Sequence, residues 1–325
     1  MADPASSPSA IAVERNAAGH TRIHRAARYG ELSTLPPEAL TEALLTQRND
    51  AGYTPLHHAA IGGHLSQVPA AILTVGNLSL RSNAGYTVYH AAAAYGTLGQ
   101  IPAPLLTDDI FHIKNDMGNT VLHEAAENGT LDKIPVERVT PDNLSLRNLS
   151  GETVLHVAAF NGHLDQVPAA LLTQAALREA TSAGDTVFHA AAISGHLEQV
   201  PGSLLVLENL SIPSKAGFTP AHAAAETGQL RKIPAERITG EMLMSRNDNG
   251  DTPLHAAASE GHLDQIPPAL LTRERVSTRN YDGLSVLRLA TERGFLEQIP
   301  PDARPREYGP VSRILRKLSS TRSPF

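Results

Sequence analysis

Residues 250–267 read GDTPLHAAASEGHLDQIP, and this stretch decides the fold because it recurs along the chain. Its leading glycine returns every thirty-three residues, nine times in all, and most copies follow it with Thr, His, paired alanines, a second glycine, Leu and Pro. A fixed period of this length predicts a stacked repeat array and argues against one globular core with a single pocket. We expect residues 19–301 to form that array as one elongated domain. The leading glycines are Gly19, Gly52, Gly85, Gly118, Gly151, Gly184, Gly217, Gly250 and Gly283.

Each copy carries the signals of a short helix. Gly250 follows a run of Asn and Asp, which predicts a tight turn. Thr252 is placed to cap the helix, Pro253 suits its first position and Gly261 its end. Every copy has alanine at the position of Ala257, where only a methyl group lets neighbouring helices approach closely.

The pattern Thr-Pro-Leu-His, with the alanines and Gly-His-Leu after it, resembles the ankyrin repeat. Residues 54–57 and 252–255 match its motif outright, whereas residues 120–123 and 153–156 have Val in place of Pro. The resemblance implies an all-α repeat solenoid of helix-turn-helix units with hairpin-like loops. It also gives the motif's threonines and histidines a structural task, hydrogen bonding within the motif and to the adjacent loop. These residues are Thr54, His57, Thr120, His123, Thr153, His156, Thr252 and His255.

One departure from the ankyrin pattern recurs in every copy, because a proline stands seventeen residues after each leading glycine, as Pro267 does. Proline inside a helix costs about 3 kcal/mol. We therefore expect the second helix to be shortened or broken, with one turn over residues 263–266 and another from Pro267. Leu270 and Leu271 should point inward, and Thr272 should cap a third short turn.

Composition argues against several classes of function. The net charge is −6, although residues 302–325 are basic, so the acidic remainder does not suit nucleic acid. The chain has no cysteine, no phosphate-binding loop and no nucleophile motif. Its fifteen histidines mostly occupy one repeat position, and stacked helices about 8–10 Å apart cannot bring such residues onto one metal ion. We expect no enzyme activity, no catalytic residues, no metal and no cofactor.

The positions that vary between copies indicate where a partner would bind. They are the loop tips around the leading glycine and two positions late in the first helix, which line the concave side of the ankyrin fold. We expect an apolar centre over the second to sixth repeats, an acidic end, and a monomeric scaffold that binds another protein. The candidate residues are Tyr53, Ile61, Tyr86, Tyr95, Glu127, Phe160, Ile193, Phe218, Glu226 and Glu260.

The two ends differ from the array. We expect residues 1–18 to be disordered or only partly ordered. In the C-terminal tail, residues 302–325, the apolar Val311, Ile314, Leu315 and Leu318 share one helical face beside basic residues. This tail would cap the last repeat, or it would tether a regulatory or effector protein to an anionic membrane or acidic partner. Without an apolar stretch of about eighteen residues or a signal peptide, we expect a cytoplasmic protein, while delivery into another cell stays open.

Overall fold

The computed structural model describes residues 14–304, which divide into two compact units. Unit 1 comprises the described residues up to Ser182, and unit 2 begins at Ala183. The amphipathic stripe expected at residues 311–318, with the rest of the tail beyond Arg304, lies outside the described residues, as do residues 1–13.

Each repeat opens with one short α-helix. In unit 1 these helices are α1 (Arg22–Tyr29), α2 (Pro55–Gly62), α3 (Val88–Ala94), α4 (Val121–Asn128) and α5 (Val154–Asn161). In unit 2 they are α6 (Val187–Ser194), α7 (Pro220–Glu226), α8 (Pro253–Glu260) and α9 (Val286–Arg293). Within each unit, consecutive helices of this series pack against one another.

The sequence explains both ends of these helices. Thr252 is the N-cap of α8 with Pro253 in its first turn, and the helix ends at Gly261, whose φ of 82° lies in the left-handed region. The capping threonine, the proline and the terminal glycine were all predicted. Ala257 is fully buried, as its small size suggested.

The second half of each repeat contains no long helix, as the recurring proline predicted. Pro267 stands between two 3₁₀ turns, Leu263–Gln265 and Pro268–Leu270, and has a φ of −50° and a ψ of 126°. Its carbonyl accepts a hydrogen bond from the Leu270 backbone N–H at 2.8 Å, so the ring interrupts no α-helical ladder. A third turn, Arg273–Val276, follows, and its N-cap Thr272 accepts from the backbone N–H of Arg275 at 3.4 Å.

The paired 3₁₀ turns recur with small variations. In unit 1 they are Leu32–Thr34 with Pro37–Ala39, Leu65–Gln67 with Ala70–Ile72, Leu98–Gln100 with Ala103–Leu105, Leu131–Lys133 with Val136–Arg138, and Leu164–Gln166 with Ala169–Leu171. In unit 2 they are Leu197–Gln199 with Gly202–Leu204, Leu230–Lys232 with Ala235–Arg237, Leu263–Gln265 with Pro268–Leu270, and Leu296–Gln298 with Pro301–Ala303. The third turns are the α-helical Glu42–Leu45, Val75–Leu78, Pro141–Leu144, Gln174–Leu177, Leu207–Leu210 and Arg273–Val276, and the 3₁₀ turns Asp108–His112 and Met242–Met244.

One detail of the second half was predicted wrongly. Leu271 is buried, with 2% of its surface exposed, but its neighbour Leu270 is only partly covered. A 3₁₀ turn has three residues per turn, so two successive side chains point in directions about 120° apart and cannot both face the core.

The loops between repeats are tight hairpins. Isolated antiparallel bridges join Lys114 to Thr120, Arg147 to Thr153 and Arg279 to Ser285, and no β-strand occurs between residues 14 and 304. Each unit is therefore an all-α repeat array whose loop tips project beside the starts of the first helices.

A glutamine two residues before the recurring proline links consecutive repeats. The Gln67 amide oxygen accepts from the Leu32 backbone N–H at 3.1 Å, and its nitrogen donates to the Gly30 carbonyl at 2.8 Å. We call this two-bond contact the glutamine clamp. It satisfies a carbonyl at the end of one helix and the first N–H of the following turn. Gln100, Gln166 and Gln298 form the same clamp.

Candidate functional site

The motif histidines join each helix start to the next loop. In α2, the Nδ1 atom of His57 accepts the Thr54 backbone N–H at 3.2 Å and lies 2.9 Å from the Thr54 hydroxyl. Its Nε2 atom lies 3.1 Å from the Tyr86 carbonyl in the following repeat. Because Nδ1 accepts a backbone N–H, the ring proton sits on Nε2 and is donated to that carbonyl. The same two-sided arrangement holds at His24, His90, His123, His189, His222 and His255.

These rings are neutral because the repeats bury them. Desolvation by burial lowers the pKa of His57, His90 and His123 to about 4, although the carbonyl that each contacts favours the charged form. The remaining motif residues follow the pattern: Thr153 contacts Nδ1 of His156, and Thr252 contacts Nδ1 of His255, each at 2.8 Å. Among residues 14–304, no three His, Asp or Glu side chains are grouped so that they could hold a metal ion.

The ten candidate partner-binding residues fall into two groups. Six are exposed at the loop tips and first helices, and within each unit we call the surface formed by these elements its tip-and-helix face. These are Tyr95, Glu127 and Phe160 in unit 1, and Ile193, Glu226 and Glu260 in unit 2. The other four, Tyr53, Ile61, Tyr86 and Phe218, are only partly exposed.

The partly exposed aromatic residues also support the fold. The Tyr53 ring packs edge-on against His57 with centroids 5.3 Å apart, and Tyr86 does the same with His90 at 5.9 Å. Burial is also the chief cause that raises the pKa of the Tyr86 hydroxyl and of the nearby Glu124 carboxyl. Replacing either tyrosine would therefore change packing as well as surface.

The structure gathers some of the candidates and separates others. In unit 1, Glu127 and Phe160 line one groove together with the loop tips of their repeats. In unit 2, Phe218, Glu226 and Glu260 line another groove of about 420 Å³. Tyr95 borders neither groove and instead carries the Arg28 guanidinium over its ring, 5.5 Å from the centroid.

Two exposed apolar side chains at the loop tips were not among the ten candidate residues. Met117 is 62% exposed and Leu149 is 77% exposed, and both border the groove of Glu127 and Phe160. An apolar residue inside a turn of Asn, Asp, Ser and Gly could have identified them, because the turn itself needs no apolar group.

Comparison with known families agrees with this architecture. Residues 155–234 match a family model described as ankyrin repeats in three copies, and residues 249–273 match one described as the ankyrin repeat. No curated protein matches the chain. None of the helices between residues 14 and 304 has the length and apolar character needed to cross a membrane.

Proposed function

The chain is an ankyrin repeat protein, and we propose that it is a non-enzymatic scaffold that binds another protein through its tip-and-helix face. Ankyrin repeats generally mediate protein–protein interaction. The scaffold acts as a cytoplasmic monomer, and its net charge of −6 does not suit nucleic acid.

The observation that carries this proposal is the placement of exposed apolar side chains. Tyr95 and Phe160 in unit 1 are each 54% exposed, and Ile193 in unit 2 is 44% exposed. Phe160 and Ile193 stand late in a first helix and Tyr95 is the C-cap of one, at positions where the repeat pattern requires no apolar group. Large side chains of this kind supply most of the binding energy in protein interfaces, aromatic ones above all.

The histidines support a scaffold better than an enzyme. Both ring nitrogens of residues such as His57 and His90 already make hydrogen bonds that hold the repeats together. A general base needs a free nitrogen within reach of substrate, which these rings do not offer.

Capture of binding proteins by the full chain tests the proposal. Tyr95→Ala and Phe160→Ala should each weaken capture of the same partner. Val136→Ala is the matched control, since Val136 is 73% exposed but belongs to the 3₁₀ turn Val136–Arg138 and not to a first helix or a loop tip. Thermal unfolding checks that all three variants fold. If capture survives both aromatic substitutions, the tip-and-helix face is not the binding surface.

A second candidate function rests on the charge of the tail. Residues 302–325 contain six basic and two acidic residues, which suits attraction to an anionic membrane or an acidic partner. Co-sedimentation with phosphatidylserine vesicles, using the full chain and a chain ending at residue 304, tests the membrane form. Pelleting that requires the tail supports the tether, and equal recovery in the supernatant refutes it.

A further inference from the structure

A groove of about 520 Å³ lies between the loop tips of the fourth and fifth repeats in unit 1, and we call it the tip groove. Met117, Leu149, Phe160 and the largely buried Val157 supply its apolar side chains, and Asp116, Glu127 and Glu152 its acidic ones. We propose that the tip groove binds a segment of another protein in which an aliphatic side chain stands next to lysine or arginine. This inference rests on the proposed function and specifies the partner.

The apolar side chains are held on rigid loops. The backbone N–H of Leu149 donates to the Met117 carbonyl at 3.1 Å, which fixes one tip against the other. The side-chain oxygen of Asn115 accepts from the backbone N–H groups of Met117 and Asn119, each at 3.0 Å. Asn148 makes the equivalent pair of bonds in the next loop. A partner therefore meets an apolar surface that is already ordered, which lowers the entropy cost of binding.

A buried carboxylate reinforces this arrangement. Glu124 is 2% exposed, and one of its oxygens accepts from Asn115 at 2.9 Å and from Asn119 at 3.1 Å. The loop of the fourth repeat is thus anchored from beneath by α4. The exposure of Met117 follows from this fixed loop conformation.

The charge around the groove selects the partner. No Lys, Arg or His lines it. Asp116 already pairs with Arg81 at 2.9 Å, and Glu152 accepts from the Asn148 side chain at 2.8 Å. Glu127 is exposed and makes no ion pair with the described residues, so it is the carboxylate best placed to receive a cation. An acidic rim repels phosphate groups and acidic peptides, and the apolar floor needs an aliphatic side chain.

Calorimetry with three synthetic peptides and the full chain tests the inference. The peptides alternate Leu with Lys, Leu with Glu, and Ser with Lys. We expect the Leu–Lys peptide to bind and the other two to bind at least about tenfold more weakly. Equal binding of the Leu–Glu peptide would overturn the charge argument, and equal binding of the Ser–Lys peptide would overturn the apolar one.

Substitutions place the peptide in the groove. Phe160→Ala should weaken binding of the Leu–Lys peptide about tenfold, and Glu127→Gln about threefold to fivefold at low salt. Glu137→Gln removes the same charge from an exposed position on the 3₁₀ turn Val136–Arg138, outside the groove, and should change nothing. If Glu127→Gln and Glu137→Gln act alike, the peptide is held by general charge and the inference is wrong.

The two proposals fail in different ways. If no peptide binds through the groove but Tyr95→Ala still abolishes capture of a partner, the tip groove is refuted and the proposed function stands. If capture survives every substitution on the tip-and-helix face, the proposed function fails whatever the peptides do.

Discussion

The side-chain amide of Gln100 donates to the carbonyl of Gly63 in the preceding repeat, with 2.6 Å between the two atoms. Its oxygen accepts from the Leu65 backbone N–H at 2.8 Å. This clamp joins the end of one first helix to the second half of the next repeat, where the proline leaves no long helix to pack.

Removing the clamp should destabilise the array. Gln100→Ala leaves a partly buried carbonyl and N–H without their partner, which costs about 1–3 kcal/mol. Urea unfolding measures the loss. An unchanged free energy of unfolding would mean that water replaces the clamp at no cost.

The fourth repeat offers the reverse experiment. Lys133 occupies the position of the clamp glutamine, and its ammonium pairs instead with the adjacent Asp132 at 2.7 Å. Lys133→Gln should create a clamp on Gly96 and Leu98 and raise stability by about 0.5–1.5 kcal/mol. A variant less stable than the parent chain would show that the clamp geometry is absent in this repeat.

Acid should weaken the array through the motif histidines. Burial lowers the pKa of His57 and His90 from 6.5 to about 4, so in the folded state these rings stay neutral where the unfolded chain takes up protons. The stability they provide is complete above about pH 6.5 and is lost as the pH falls towards 4. At about 1.4 kcal/mol per pKa unit, each ring contributes about 3 kcal/mol to this loss.

Urea unfolding across this pH range measures the effect, and imidazole ¹⁵N shifts report the tautomer. We expect the Nε2–H form to persist in the folded chain down to about pH 5. A free energy of unfolding that stays constant from about pH 7 to pH 5 would contradict the account. So would motif histidines such as His57 and His90 that titrate near pH 6.5 while the chain remains folded.

Two glycines with nearly equal φ angles allow the cost of backbone strain to be measured apart from the cost of a steric clash between loops. Gly118 has a φ of 78° and Gly283 a φ of 75°. A Cβ atom at Gly118 would lie 2.7 Å from the Leu149 backbone nitrogen, whereas at Gly283 it would meet nothing within 4 Å. Gly283→Ala should cost about 1–2 kcal/mol from strain alone, and Gly118→Ala distinctly more. If thermal unfolding shows that both substitutions destabilise the chain equally, the loop that contains Leu149 moves away from residue 118 at no cost.

Each recurring proline should stabilise the chain modestly, and replacing a single one should not by itself create a second helix in the folded state. Pro168 has a φ of −51° and a ψ of 125°, which alanine can also adopt. Pro168→Ala should therefore cost about 0.4–1 kcal/mol, mainly through the greater freedom of the unfolded chain. Far-UV circular dichroism should not change. A gain in both helicity and stability would show that a longer second helix is suppressed by the proline alone.

The sequence predicted most local features of the repeat, because these depend on residues close together in the chain. The Thr252 cap, the interruption at Pro267 and the turn beginning at Thr272 follow from backbone preferences of single residues. Leu270 was predicted wrongly, because its exposure depends on the 3₁₀ geometry of the turn Pro268–Leu270.

Contacts between repeats were harder to predict. Gln67 meets Gly30 across thirty-seven residues, and only its recurrence two residues before the proline could have suggested a shared role. The candidate site was predicted in part for the same reason. Tyr53 and Tyr86 occupy variable positions, but their neighbours in space cover them. Leu149 was overlooked because its turn was interpreted only as a turn.

Site-specific photo-cross-linking tests the central claim most directly. A photoreactive amino acid replaces Tyr95, Phe160 or, as control, Val136 in the full chain, and cross-linked proteins are identified after irradiation in cells. The account predicts that the first two positions cross-link to the same protein, while position 136 does not. Cross-links that form only from position 136, or none from either position on the tip-and-helix face, would contradict it.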